Sequence, residues 1–133
     1  MPYLRVRVAT AQKDISTQQI AKGLTDLAVT KLGKAADVAA VDVKFTSPDD
    51  WFIGGQSLTE THQTGFFTEI KITEATNTRD EKATFVKAVF DFMAKLYGDL
   101  AKTSYVVLQD VASEAWGYGG LTQEYRYIQP NQD

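Results

Sequence analysis

The sequence WFIGG at residues 51–55 returns as WGYGG at residues 116–120, 65 positions further along the chain. A similar motif at such a spacing is typical of a duplicated structural unit. The order of structural signals before each motif is also the same. We therefore predict a single domain of 133 residues, made of two pseudo-repeats at residues 1–60 and 66–128.

Each half contains two stretches in which apolar residues alternate with polar or charged ones. This period of two indicates half-buried strands. The predicted strands are residues 4–8, 41–45, 67–73 and 105–111. Residues 125–128 alternate in the same way and predict a short extra strand.

Between the strands of each half, apolar residues recur at helical spacing over residues 20–32 and 85–97. Capping-box pairs precede these stretches and a glycine follows each of them, as expected at helix ends. The predicted capping boxes and end glycines are Ser16 with Gln19, Thr78 with Glu81, Gly33 and Gly98.

Two strands joined through a helix lie parallel with a right-handed crossover. The sequence therefore predicts an α/β fold: two tandem βαβ units in a four-stranded mixed sheet with both helices on one face. The open face would mix charged and apolar side chains, which favours an oligomer that covers it. A ferredoxin-like sheet has the same element order. RNA binding by such a module needs a basic aromatic strand, and Glu69 lies in the corresponding stretch, whereas a ferredoxin-like small-molecule sensor stays open on the pattern alone.

The composition excludes several function classes. The formal net charge is −3, which disfavours nucleic-acid binding. There is no cysteine, and a single histidine forms no metal cluster, so no metal site is expected. No apolar run is long enough for a membrane span and no signal peptide is recognisable, so we expect a cytoplasmic protein.

A Met1-Pro2 start, the βαβ unit and the repeated aromatic-x-Ile/Tyr-Gly-Gly turn together resemble the tautomerase superfamily. The similarity is greatest to a fused member of the 4-oxalocrotonate tautomerase group. It implies a fold like that of macrophage migration inhibitory factor (MIF), a homotrimer, a small-molecule substrate and catalysis without a cofactor.

The resemblance implies that Pro2, freed of Met1, is the catalytic base. A free α-amino group titrates at about 8, and burial or a neighbouring cation lowers that pKa toward neutrality. The position matching Pro2 in the second unit is Phe66, which is internal and has no free amine. Trp51 and Trp116 match the family's active-site aromatic wall, although either could be a packing residue.

The family's substrate-binding arginines are replaced here by Gln12, by Ala40 in the first unit and by Tyr105 in the second. The usual dicarboxylate substrate is therefore not expected. Candidate substitutes for substrate binding are Lys13, Arg5, Arg7 and Tyr105. The arginines could instead pair with acidic residues across the sheet.

Two other functions stay open at this point. The first is hydration, dehalogenation or decarboxylation on the same scaffold, with Asp50 or Glu114 activating water. The second is a non-catalytic trimeric binding protein, which the missing arginines favour. His62 lies in the segment between the units and is expected in solvent.

Overall fold

The structure, a computed structural model, describes residues 1–129. Each half folds as strand, helix, strand and a small two-stranded hairpin followed by a short helix. The first half contains β1 (Tyr3–Ala9), α1 (Thr17–Leu32), β2 (Ala40–Thr46), β3 (Phe52–Ile53), β4 (Gln56–Ser57) and α2 (Leu58–Thr61). The second half contains β5 (Gly65–Thr73), α3 (Arg79–Tyr97), β6 (Tyr105–Val111), β7 (Gly117–Tyr118), β8 (Leu121–Thr122) and α4 (Gln123–Ile128).

The four long strands form one mixed sheet in the order β2-β1-β5-β6. Within each half the two strands are parallel neighbours, and the central pair, β1 and β5, is antiparallel. This arrangement confirms the predicted α/β fold. It excludes the ferredoxin-like alternative, because in that split βαβ arrangement the two strands of a unit are not direct neighbours.

Both long helices begin and end as their sequences predict. The two capping boxes are formed, at Ser16 with Gln19 and at Thr78 with Glu81. Gly33 and Gly98 end the helices with φ of 69° and 76°, a region in which glycine has no steric penalty.

The hydrophobic core lies between the sheet and the two helices, which pack on one face. Inward-facing strand residues meet one stripe of each helix. The fully buried members with the largest side chains include Leu4, Ile20, Leu24, Phe66, Ile70, Phe85 and Met93. Within residues 1–129, no helix combines the length and the hydropathy that crossing a bilayer would need.

The Gly-Gly motifs form the two hairpin turns, β3-β4 and β7-β8. Gly54 and Gly55 have φ of 60° and 79°, and Gly119 and Gly120 have 62° and 82°. Two successive positive φ values are required by a type I′ turn, which suits the twist of a two-residue hairpin. The repeated motif is therefore a hairpin signal, and it places a tryptophan just before each hairpin.

The predicted strand at residues 125–128 is wrong, because these residues belong to helix α4. Thr122 caps that helix by accepting a hydrogen bond from the Tyr125 N–H at 3.0 Å. Ser57 caps α2 in the same way after the first hairpin. Four alternating residues are too few to distinguish a strand from one turn of helix, so the hairpin and its cap decide the conformation.

Candidate active site

Pro2 lies at the start of the central strand β1, at the end of the sheet where the antiparallel neighbour β5 finishes. Its carbonyl oxygen accepts a hydrogen bond from the Ala40 N–H at 3.2 Å, and its side chain is buried. Tyr3 pairs with Lys71, so one further step of the antiparallel register places Pro2 beside Ile72. The chain terminus is thus held between β2 and β5.

Lys34 brings a positive charge to this terminus. It follows Gly33, whose left-handed conformation turns the chain out of α1. Burial, and secondly the charge of Lys34, lower the pKa of the Met1 α-amino group. Burial also lowers the pKa of Lys34 itself, while the carboxylates of Glu81 and Asp110 oppose that shift. The terminus is therefore an environment in which an amine is easily neutral.

The turn that follows β5 holds Lys34 in place. Thr76 Oγ1 accepts a hydrogen bond from Lys34 Nζ at 2.9 Å and donates one to the carbonyl oxygen of Thr73. Asn77 Nδ2 donates to the last carbonyl of α1 at 2.9 Å. Ala75 in this turn has a φ of 65°, which is uncommon for a residue other than glycine. Strained conformations of this kind cluster at functional sites.

Trp116 is fixed to the same turn. Its Nε1–H donates a hydrogen bond to Thr73 Oγ1 at 3.1 Å, and the indole is half-buried. Trp116 and the exposed Glu114 line a shallow pocket of about 250 Å³. A terminal amine, a cation and an aromatic wall therefore lie around residues 73–77. These groups suit proton transfer with stabilisation of an oxyanion.

The other predicted binding residues lie away from Pro2. Three of them line a groove of about 380 Å³ on the open face of the sheet. The groove is lined by Arg5, Arg7, Trp51, Phe67 and Glu69. Tyr105 pairs with Phe67 between β6 and β5, so it lies on the strand beside the groove. The two tryptophans thus belong to opposite ends of the sheet.

Lys13 lies in the loop after β1, at the far end of the strand from Pro2. The preceding residue, Gln12, donates from Nε2 to the Tyr97 carbonyl at 2.8 Å and to Asp99 Oδ1 at 3.0 Å. A seven-residue strand is about 23 Å long. Within one chain, Lys13 and Pro2 are therefore not brought together.

His62 and Asp50 are exposed to solvent. His62 ends α2 in a left-handed conformation with a φ of 57°. Asp50 lies in the short turn before Trp51. Within residues 1–129, no group of three or more acidic or histidine side chains suits a metal ion.

Comparison with known proteins decides the family. The model of the family described as "Tautomerase enzyme" matches residues 67–125. A protein of Dickeya dadantii (strain 3937), described as "Probable tautomerase K2", is 34% identical over 67 residues, which cover 47% of this chain and 96% of that protein. This chain belongs to the tautomerase family. The match of the family model covers the second unit, so Pro2 lies outside the matched residues.

Several solved structures share the fold over nearly the whole chain. The Q0 fused 4-OT (4-oxalocrotonate tautomerase) wild-type symmetric trimer has a TM-score of 0.79 at 18% identity, covering 92% of this chain and 96% of that one. A MIF-like protein from Entamoeba histolytica has a TM-score of 0.74 at 15% identity, covering 91% and 97%. This member of the tautomerase family thus has the fold of the fused 4-OT proteins, as its sequence resemblance implied.

Lys34, Thr73 and Thr76 lie in the candidate site of this tautomerase but were not predicted as site residues from the sequence. Lys13 was the predicted cation because it stands beside Gln12, which occupies the position of a family arginine in the loop after β1. Antiparallel pairing of β1 with β5 instead brings the turn of the second unit to the start of the first. The feature of the sequence that could have identified Lys34 is its position directly after Gly33, the residue that ends α1.

Proposed function

We propose that this tautomerase moves a proton between two atoms of a small enol or α-keto acid without a cofactor. Pro2 would be the general base once Met1 has been removed. The observation that carries the proposal is the placement of the terminus, where burial and Lys34 both lower the pKa of the α-amino group. Removal of Met1 moves the free amine one residue inward, to the buried Pro2, with the same cation nearby.

In this mechanism the neutral Pro2 nitrogen takes a proton from the enol hydroxyl or from the α-carbon. Negative charge then develops on the substrate oxygen, and the Lys34 ammonium donates a hydrogen bond to it. The protonated proline returns the proton to the other atom, which completes the isomerisation. The base is regenerated, and no atom is gained or lost overall.

Trp116 would form the apolar wall of this site. Its hydrogen bond to Thr73 fixes the ring, and an indole beside the substrate excludes water and strengthens the contact between Lys34 and the oxyanion. Lys34 presents a point charge rather than the planar fork of an arginine. A substrate with one carboxylate fits this arrangement better than a dicarboxylate.

We also propose that the protein is a homotrimer. The outer strands, β2 and β6, carry exposed aromatic side chains: Phe45 is 42% exposed and Tyr105 60%. Such side chains on outer strands are typical of surfaces that another subunit covers. The similar fused 4-OT trimers support this assembly. Sedimentation velocity should give three times the mass of one chain.

The test of the activity is ketonisation of phenylenolpyruvate, followed by absorbance. The matched control is a chain with two residues added before Pro2, which keeps the proline ring but acylates its nitrogen. Removing a general base costs about 100- to 10,000-fold in rate, so we expect that loss in the extended chain. Intact mass verifies removal of Met1 in the active form. Equal rates in both forms would exclude Pro2 as the base.

Hydration of a small unsaturated acid is a second candidate, because Glu114 lines one pocket with Trp116. Glu114 would then activate water while a protonated Pro2 donates a proton. The two candidates predict opposite pH dependences at the terminal amine. Activity that rises with pH through the amine pKa indicates a base, and activity that falls indicates an acid. Glu114→Gln should abolish hydration and leave ketonisation intact.

A further inference from the structure

We propose that the groove on the open face of the sheet, here called the Arg7 groove, binds a small organic monoanion at a site separate from Pro2. The ligand would carry one carboxylate on a flat aromatic or conjugated body. The groove is lined by Arg5, Arg7, Trp51, Phe67 and Glu69 and has a volume of about 380 Å³. Small-molecule sites begin at about 300 Å³.

Arg7 is the cationic centre of this groove. The sheet register places it between Lys44 on β2 and Phe67 on β5. Like charges on neighbouring strands repel one another. Within residues 1–129, neither Arg7 nor Lys44 makes a salt bridge or a side-chain hydrogen bond. A bound anion would neutralise this pair.

Arg5 has a different environment on the same face. It lies between Asp42 on β2 and Glu69 on β5. These carboxylates already have partners, because Asp42 accepts from the Tyr3 hydroxyl at 3.3 Å and Glu69 pairs with Lys71 at 3.4 Å. Their negative charges nevertheless offset that of Arg5. The carboxylate of a ligand is therefore expected at Arg7 rather than at Arg5.

A difference between the two halves leaves the indole N–H of Trp51 without an acceptor among residues 1–129. The Trp116 Nε1–H donates to Thr73 Oγ1, at the end of β5. The corresponding residue at the end of β1 is Ala9, which has no hydroxyl group. The Trp51 Nε1–H accordingly has no acceptor among the described residues.

Aromatic side chains supply the walls for a flat ligand. Trp51 packs against β5 at Gly65, where an added Cβ would lie 3.4 Å from its Nε1 and 2.9 Å from Leu58 Cδ1. Glycine at this position lets the indole approach the strand two residues from Phe67.

The chemistry of these groups defines the ligand. A guanidinium and an indole N–H can donate hydrogen bonds but cannot accept them. The guanidinium of Arg7 and the indole of Trp51 have no hydrogen-bond partner among residues 1–129. The ligand must therefore bring acceptors, and a carboxylate matches the guanidinium fork. Glu69 at the groove disfavours a second negative charge. Phe67 and Trp51 favour a flat, apolar body.

The groove is separate from the proposed catalytic proline. Arg7 lies five residues further along β1, which corresponds to about 16 Å between Cα atoms. Pro2 is buried, whereas Arg7 is exposed. Binding at the groove therefore does not require a free amine at Pro2, and it can be tested whether or not the chain is a catalyst.

The test uses the two indole N–H signals of the nitrogen-15-labelled protein, assigned with Trp51→Phe and Trp116→Phe. Phenylacetate is the probe, and neutral 2-phenylethanol is its control. We expect phenylacetate to shift the Trp51 signal with saturation in the millimolar range, and 2-phenylethanol to leave it unmoved. Arg7→Gln should weaken binding about tenfold or more, and Arg5→Gln by less.

A matched cation away from the groove is Lys95, exposed on α3, and Lys95→Gln should bind phenylacetate as the parent chain does. An unmoved Trp51 signal would overturn the proposal. The same holds for equal shifts with phenylacetate and 2-phenylethanol, or for unchanged affinity in a folded Arg7→Gln protein. If Arg7→Gln dissociated an oligomer while phenylacetate did not shift Trp51, Arg7 would be a subunit contact and the proposal would be wrong.

Discussion

Replacement of Lys34 with glutamine tests the proposed catalytic site most directly. Lys34 Nζ donates to Thr76 Oγ1 at 2.9 Å. Glutamine keeps an N–H donor on a slightly shorter side chain and carries no charge. A hydrogen bond from a charged donor contributes about 1.5–3 kcal/mol. Its loss at the developing oxyanion should lower kcat/KM roughly 10- to 150-fold.

The second part of this prediction is a shift in the pH dependence of kcat/KM. The charge of Lys34 adds to burial in lowering the pKa of the Met1 α-amino group, so we expect Lys34→Gln to raise the pKa of the amine that Met1 removal frees at Pro2. Because the neutral amine is the base, the rising limb of kcat/KM should move to higher pH. The loss of kcat/KM in Lys34→Gln relative to the parent chain should then be largest near neutral pH and become smaller in alkaline solution. Ketonisation of phenylenolpyruvate across this range measures both effects.

The matched control is Lys31→Gln, an exposed lysine in the last turn of α1 without an ionic partner among residues 1–129. It should leave both the rate and the profile unchanged. The reasoning fails if Lys34→Gln stays within twofold of the parent enzyme. It also fails if the rate falls while the rising limb stays in place, since Lys34 would then not act on the amine. Urea denaturation shows whether the variant is folded.

Three further substitutions test the packing around the site and the core. Thr73→Val removes the acceptor of the Trp116 indole and should lower kcat/KM about tenfold, since an unpaired donor costs about 1–3 kcal/mol, whereas Thr73→Ser should retain activity. Gly23→Ala should destabilise the fold in urea by about 1–3 kcal/mol, because a Cβ there would overlap the Phe92 ring. Tyr97 is buried without a hydrogen-bond partner for its hydroxyl, and burial raises the pKa of this phenol to about 12. Because the unfolded phenol ionises at about 10, the parent chain should lose stability from about pH 10 to about pH 12, and Tyr97→Phe should lack that loss in urea titrations.

Local sequence patterns were sufficient for the architecture. Alternation, capping boxes and end glycines each report on a few neighbouring residues, and they predicted the four long strands and both long helices. The site depended on strand order, which no local pattern contains. Lys13 was predicted as a cation because it stands beside Gln12, at the position of a family arginine. The order β2-β1-β5-β6 instead brings Thr76, and with it Lys34, to that end.

The two ends of the central strand pair differ in which groups have partners, and this difference underlies the two functions that we propose for them. At the Pro2 end, Thr73 and its turn fix an indole and a cation beside the chain terminus. At the other end, Phe66 occupies the position of the proline and is fully buried, so no amine is available there. Ala9 lacks the hydroxyl that would hold the indole of Trp51. An end without a base cannot catalyse the proposed proton transfer, yet its donors remain able to hold an anion. The same fold can therefore present one end for chemistry and the other for binding alone.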